Sequence, residues 1–225
     1  MQVDVYESDA EALDAAAVLV ESALATSANA HPAVAIAGGR GGRGIMLALT
    51  ARVDLPWSRT RFCVVDEPLV APSNRALLRE HLLVPRGIAG PASTNDGEDR
   101  VEVWEAEIRE VAGADVVFDV LVLDLGPGGE IGVLDADTLP AADAAAPVVR
   151  TADRIGLGPA ALRRARRTVV IATGTQRSAA VAQALRASAD AGQPAQLVLP
   201  GERVDWILDR AAAAELLRDA RPAPA

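Results

Sequence analysis

Three short segments of the sequence combine glycine or a strand end with charged side chains, as many ligand-binding loops do. They are residues 37–44 (AGGRGGRG), 65–68 (VDEP) and 123–130 (LDLGPGGE). Glycine lets backbone N–H groups approach an anion, and an arginine guanidinium can hold two phosphate oxygens at once. A carboxylate can act as a general base when burial raises its pKa toward neutrality. Together the segments predict a site for an anionic ligand with one or two reactive acids.

The first segment is a candidate anion loop. Gly38 and Gly39 would let the backbone reach the ligand, and Arg40 and Arg43 would supply positive charge. The alternative is a tight strand-to-helix turn, which needs glycine for steric reasons whatever it binds. The two arginines favour anion binding. The segment lacks the lysine of a nucleotide-triphosphate loop and the spacing of a dinucleotide fingerprint.

The candidate acids are Asp66 and Glu130. Neighbouring side chains of a strand point to opposite sides, so Asp66 can face a ligand while Glu67 anchors the loop. The alternative is a turn capped by Asp66 before Pro68, and the segment by itself favours this alternative. Glu130 follows a glycine turn, where it could be a general base or could stabilise the first turn of a helix. The residues alone leave both alternatives open.

Short apolar runs alternate with amphipathic stretches along the chain, which positions these segments after strands. We predict an α/β fold: an open, mostly parallel, Rossmann-like sheet with helices on both faces. The predicted strands are 33–37, 61–65, 116–123, 148–150, 154–157, 168–172 and 196–199. The predicted helices are 10–25, 44–52, 73–83, 100–111, 159–164, 176–187 and 209–217. Residues 1–217 would form one domain and residues 218–225 a flexible tail, and ligands of such sheets lie beyond the strands' carboxyl ends.

Composition excludes several function classes. The net charge of −9 argues against a nucleic-acid surface, and the arginines of 163–167 fall where a helix should end. The absence of lysine excludes Schiff-base chemistry. The single cysteine, Cys63, lies in an apolar run and permits no internal disulfide, which favours the cytoplasm. The acidic N-terminal stretch is unlike a signal peptide, and no apolar run reaches the roughly 20 residues of a membrane span.

The order of the segments resembles the 6-phosphogluconolactonase / glucosamine-6-phosphate isomerase family over nearly the whole chain. That family has an SGGSTP loop, a DER strand end followed by SN, a GxGxDGHTAS loop, an RxT strand and a GxxK turn. The corresponding segments here are Gly38-Gly39-Arg40, Asp66-Glu67-Pro68 with Ser73-Asn74, Gly126 to Glu130, Arg154-Ile155-Gly156 and Gly174 to Arg177. A WxxDxxA ending is matched by Trp206, Asp209 and Ala212.

The resemblance implies a sugar-phosphate lactonase/isomerase fold with an active site that has diverged. The family's catalytic histidine falls at Glu130 and the aspartate before it at Gly128. The arginine of DER falls at Pro68, and the loop hydroxyls fall at Arg40 and Gly41. Neither histidine is a replacement, since His31 precedes a strand and His81 lies on a predicted helix. A carboxylate is a weaker base than an imidazole unless its surroundings compensate.

Three hypotheses follow. The first is a 6-phosphogluconolactonase-like hydrolase of an anionic, sugar-like lactone or ester, with Glu130 or Asp66 activating water and no metal or cofactor. The second is a sugar-phosphate isomerase or deaminase in which Asp66 moves a proton, and the third is a non-catalytic ligand-binding homologue. The expected ligand contacts are Gly38, Gly39, Arg40, Arg43, Asn74, Arg154 and Arg177. The oligomeric state stays open between a monomer and a homodimer.

Overall fold

A computed structural model describes residues 1–88, 100–186, 193–198 and 200–219. The strands are β1 (Gln2–Tyr6), β2 (Ala33–Ile36), β3 (Arg61–Val64), β4 (Asp66–Pro68), β5 (Phe118–Asp124), β6 (Val148–Arg150), β7 (Arg154–Leu157), β8 (Ala165–Ala172) and β9 (Val204–Asp209). The helices are α1 (Asp9–Ala25), α2 (Gly39–Thr50), α3 (Asn74–Leu78), α4 (Val101–Ala112), α5 (Pro159–Leu162), α6 (Ser178–Arg186) and α7 (Ala214–Asp219).

The central sheet has six parallel strands in the order β1-β9-β8-β5-β2-β3. The sequences of its inner strands are continuous apolar runs, because helices cover both faces of a parallel sheet. Every residue of β2 is buried, as is every residue of β9. The core is built mainly from alanine, valine, leucine and isoleucine, with Phe118 and Trp206 among its largest fully buried side chains. The predicted α/β class is therefore confirmed.

The chain reverses direction within the sheet between β2 and β5. From β1 it proceeds through β2 to β3 at one edge, and from β3 it returns through β5 and β8 to β9. Because parallel crossovers are right-handed, α1 and α2 cover one face while α4 and α6 cover the other. Ligands of open α/β sheets bind at such a switch point, beyond the strands' carboxyl ends.

A second, three-stranded sheet lies beside the first. Its order is β4-β7-β6, and all its pairs are antiparallel. Asp66 pairs with Gly156 and Pro68 pairs with Arg154 across β4 and β7. This pairing brings Arg154, 88 residues further along the chain, next to the end of β3.

Several boundaries differ from those predicted. The structure adds β1, β4 and β9. Residues 194–197 form a 3-10 turn where a strand over 196–199 was predicted, with residue 199 outside the described part. The helix predicted for 209–217 is wrong at its start, because β9 continues to Asp209. The helix predicted for 73–83 divides into α3 and a π turn, Arg79–Leu83. The predicted tail begins within α7, and residues 220–225 lie outside the described part. No helix in the described ranges has the length and apolar character to cross a membrane.

Candidate active site

The predicted site residues follow four strands of the central sheet at its carboxyl edge. Gly38 and Gly39 come after β2, Asp66 after β3, and Glu130 in the loop after β5. Arg177 follows β8. Most of these side chains therefore gather at the switch point between β2 and β5, where a ligand is expected.

Asp66 is the most enclosed of the predicted catalytic acids. Its side chain is 4% exposed and pairs with Arg154, which is 37% exposed. Arg154 Nε donates to Asp66 Oδ2 at 2.9 Å, and Arg154 Nη2 donates to the same oxygen. Burial raises the pKa of Asp66, and the positive charge of Arg154 and its hydrogen bond oppose that rise. The result is a buried carboxyl that a partly exposed guanidinium holds in place.

Asn74 connects Asp66 to the glycine-rich loop. It begins α3, whose N-cap Ser73 accepts a hydrogen bond from the N–H of Ala76. Asn74 Nδ2 donates to the backbone oxygen of Asp66 at 2.8 Å and approaches Asp66 Oδ2 at 3.4 Å. A Cβ atom on Gly38 would lie 1.8 Å from Asn74 Oδ1, so any other residue there would displace the Asn74 side chain. Three predicted site residues thus form one packed unit.

Asp124 is a further acid at the site, and it is not among the site residues predicted from the sequence. It ends β5, and its Oδ2 accepts hydrogen bonds from Gly41 N at 3.1 Å and Arg177 Nη2 at 3.2 Å. Burial raises the pKa of Asp124; Arg177, the Gly41 N–H and Arg40 oppose it. The sequence itself indicated a site residue here, because Asp124 is an acid at the end of an apolar strand, just before a glycine turn.

Arg40 and Arg177 meet at the carboxyl end of β8. Arg177 is buried, and its Nη1 donates to the backbone oxygen of Thr173 at 3.1 Å. Arg40 is exposed, and its Nη2 donates to the same oxygen at 3.2 Å. The next residue, Gly174, has a φ of +88° and donates its N–H to Asp209 Oδ2 at 2.9 Å. Arg177 is thus occupied by protein groups, whereas Arg40 has free N–H donors facing solvent.

Glu130 lies in a loop and not at the start of a helix. Its Oε2 accepts from Gly128 N at 2.8 Å, and its backbone oxygen accepts from Gly126 N at 2.9 Å. The tight turn 131–134 follows, so the interpretation that Glu130 stabilises a helix dipole is wrong. A Cβ atom on Gly132 in this turn would lie 3.0 Å from Val65 Cγ1. The loop that carries Glu130 therefore packs against the end of β3, next to Asp66.

Arg43 and the histidines are not joined to this cluster. Arg43 is exposed on α2 and its Nε hydrogen bonds to His81 Nε2 at 3.1 Å. His31 is exposed, and its Nδ1 lies 3.4 Å from the backbone oxygen of Arg59. Among the described residues, no three histidine, cysteine or acidic side chains form a group that could hold a metal ion. The chemistry available at the switch point is that of Asp66, Asp124, Glu130 and the arginines.

Residues 7–206 match the family model described as glucosamine-6-phosphate isomerases/6-phosphogluconolactonase. The chain belongs to this family. A 6-phosphogluconolactonase of Streptomyces coelicolor is 28% identical, with 92% of this chain and 91% of that protein covered. The 6-phosphogluconolactonase of Mycobacterium leprae is 25% identical, with 95% and 98% covered.

Solved structures of this family have the same fold. The structure of a 6-phosphogluconolactonase from Thermotoga maritima has a TM-score of 0.78 at 21% identity and covers 93% of this chain and 99% of its own. A monomeric glucosamine-6-phosphate deaminase has a TM-score of 0.73 at 17% identity and covers 96% and 100%. With the histidine of the family's GxGxDGH loop at Glu130, the first glycine of that loop falls at Asp124. The chain thus has one carboxylate at the end of β5 and one in the loop after it, at positions where the motif has glycine and histidine.

Proposed function

We propose that the protein is a 6-phosphogluconolactonase-like hydrolase that opens a sugar-like lactone or ester. The observation that carries the proposal is the buried Asp66 carboxyl, held by Arg154 and Asn74 at the switch point of the sheet. Catalytic acids are often placed in this way, because burial raises their pKa toward the working pH. The named relatives that are 6-phosphogluconolactonases support the same reaction class.

In the proposed reaction, a carboxylate takes a proton from water while the water oxygen attacks the lactone carbonyl carbon. The C–O bond of the ring then breaks, and the leaving oxygen takes the proton that the carboxylate removed from water. Asp66 is the favoured base because its pKa is raised. Glu130 is the second candidate, from a loop that packs beside Asp66. Arg40 supports an anionic substrate, since it is exposed and has N–H donors left to bind one.

The test is hydrolysis of phosphorylated and unphosphorylated sugar lactones by the purified protein, followed as acid release. We expect Asp66→Asn to lower kcat by about 10²- to 10⁴-fold, the usual contribution of a general base. Glu130→Gln should show the same loss if Glu130 is the base instead. Glu110→Gln is the matched control, because Glu110 is an exposed acid on α4. If the protein turns over no lactone, the hydrolase proposal is wrong. If it does turn over a lactone and neither site variant lowers kcat, neither acid is the base.

The non-catalytic alternative is favoured by one specific observation. The carboxylate of Glu130 is hydrogen-bonded to its own loop at Gly128 N, and both histidines lie elsewhere. A ligand-binding homologue would be stabilised by a sugar lactone without turning it over, which thermal-shift measurements would reveal. An isomerase or deaminase using Asp66 would instead incorporate solvent deuterium at a substrate carbon, and a hydrolase would not.

A further inference from the structure

The first turn of α2 has the features of an anion site, but a carboxylate of the protein already lies in it. The N-terminal N–H groups of a helix lack intrahelical partners and carry partial positive charge. Arg40 and Arg177 add two cations beside this turn. We propose that Asp124 is an internal anion that fills this turn and keeps an external phosphate group out of it.

The hydrogen bonds show how Asp124 uses the donors. Its Oδ2 accepts from Gly41 N at 3.1 Å and from Arg177 Nη2 at 3.2 Å. A phosphate oxygen bound by the same two groups would have to occupy the position of that carboxylate oxygen. Two anions at hydrogen-bond distance repel each other strongly where water is largely excluded. Binding of phosphate therefore requires that Asp124 lose its charge or move away.

The glycines of the loop leave space that Asp124 itself occupies. A Cβ atom on Gly41 would lie 2.6 Å from Asp124 Oδ1, and a Cβ atom on Gly39 would lie 3.6 Å from Oδ2. The loop is thus shaped around the protein's own carboxylate. The other glycine contacts are also internal, since Gly38 faces Asn74 and Gly42 faces the backbone oxygen of Ala37.

Charge balance supports the same conclusion. The side chains of Arg177 and Asp124 are 10% and 11% exposed, and they form an ion pair. Asp124 Oδ1 is buried and accepts no hydrogen bond from any described residue. A buried cation is costly without a counter-charge. Removing the negative charge of Asp124 would therefore leave Arg177 and the helix turn ready to accept an anion from solution.

The occupation of the turn by Asp124 also specifies the substrate class, a consequence that rests on the proposed function. A hydrolase with an occupied turn should prefer sugar lactones that place no phosphate group there. A negative charge on the substrate could still reach the exposed side of Arg40. Replacing Asp124 should shift the preference toward phosphorylated lactones, which we expect to appear as at least a tenfold rise in the kcat/KM ratio of phosphorylated to unphosphorylated lactone.

The direct test measures binding of inorganic phosphate, by calorimetry and thermal shift, to the protein and its variants. Asp124→Asn keeps the shape and removes the charge, whereas Asp124→Gly removes the whole side chain. Asp54→Asn is the matched control, because Asp54 is an exposed acid beyond the opposite end of α2. We expect no saturable phosphate binding to the wild type or the control, and saturable binding to both Asp124 variants.

Adding Arg40→Gln to Asp124→Asn should weaken the new phosphate binding at least tenfold, which locates it at this turn. Equal phosphate affinity in the wild type and the Asp124 variants would overturn the proposal. So would a lack of binding by Asp124→Gly when circular dichroism shows that this variant is folded. Since these measurements need no turnover, they separate a failure of this proposal from a failure of the proposed hydrolase activity.

Discussion

Replacing Arg154 with methionine tests whether the Asp66–Arg154 pair supports the site as the geometry indicates. Methionine keeps much of the length of the side chain and removes the charge. In the wild type the Asp66 side chain is 4% exposed, and the other side chain near its Oδ2 is Asn74, whose Nδ2 lies 3.4 Å away. Loss of the Arg154 guanidinium would leave a buried carboxylate without its main partner.

The loss in the free energy of unfolding depends on how deeply the two partners are buried. Breaking a buried ion pair by removing one partner costs about 3–5 kcal/mol. Arg154 is 37% exposed, so water screens part of the interaction and can replace part of it. We therefore expect a loss of about 2 kcal/mol in the free energy of unfolding at neutral pH. For a domain of this size, that corresponds to a fall in Tm of about 4–8 °C.

The dependence on pH gives the sharper criterion. Burial already raises the pKa of Asp66, and Arg154 lowers it, so the variant raises the pKa of Asp66 further. A carboxyl whose pKa is higher in the folded than in the unfolded protein binds its proton more tightly when folded. Its contribution to stability therefore falls as pH rises from the unfolded pKa, about 3.9, through the folded one. The penalty of Arg154→Met should be smaller at pH 5 than at pH 7.5.

Urea unfolding followed by circular dichroism measures both quantities. Arg210→Met is the matched control, because Arg210 is 63% exposed and pairs with Glu7, which is 71% exposed. An exposed pair of this kind contributes about 0–1 kcal/mol. The reasoning is refuted if Arg154→Met costs no more than this control, or if its penalty is larger at pH 5 than at pH 7.5.

Three further predictions concern Asp124, Gly38 and Cys63. Because burial raises the pKa of Asp124, wild-type stability relative to Asp124→Asn should fall as pH rises from about 4 toward neutrality; urea titrations that show no such trend would contradict this. Gly38→Ala should destabilise by about 2–3 kcal/mol in thermal unfolding, because its Cβ would meet Asn74 Oδ1 at 1.8 Å, and adding Asn74→Ala should restore part of the loss. Burial raises the pKa of the Cys63 thiol, so a thiol reagent should label it only as fast as the protein unfolds, and rapid labelling of folded protein would be evidence against its burial.

The inner strands of the sheet could be predicted from the sequence because they are apolar along their whole length. β2, β3, β5 and β8 all lie within or close to the predicted strands. The edge strand β1 was missed since its residues are largely exposed and alternate in polarity. β9 was missed for a different reason. Its two aspartates, Asp205 and Asp209, interrupt the apolar pattern of the sequence. Both are buried, Asp205 against Arg167 and Asp209 against Gly174.

The candidate site could be predicted in its location but not in its connections. The glycine loops and the acids after strands indicated the carboxyl edge, and the structure brings Gly38, Asp66 and Asn74 together there. The pairing of Asp66 with Arg154 depends on the small antiparallel sheet, whose register no local pattern reveals. The role of Asp124 depends on contacts with Gly41 and Arg177, which lie 83 and 53 residues away in sequence.

The position of β9 affects the order in which the chain can fold during synthesis. β9 lies between β1 and β8, and it is the one strand of the described residues that pairs with β1. Among the described strands, β1 therefore has no hydrogen-bonding neighbour until Val204–Asp209 has been made. Asp209, at the end of that strand, also fixes the Gly174 turn beside Arg40. We expect nascent chains that stop before residue 204 to lack both an ordered β1 and a completed turn at Gly174, since such long-range pairing comes late in folding.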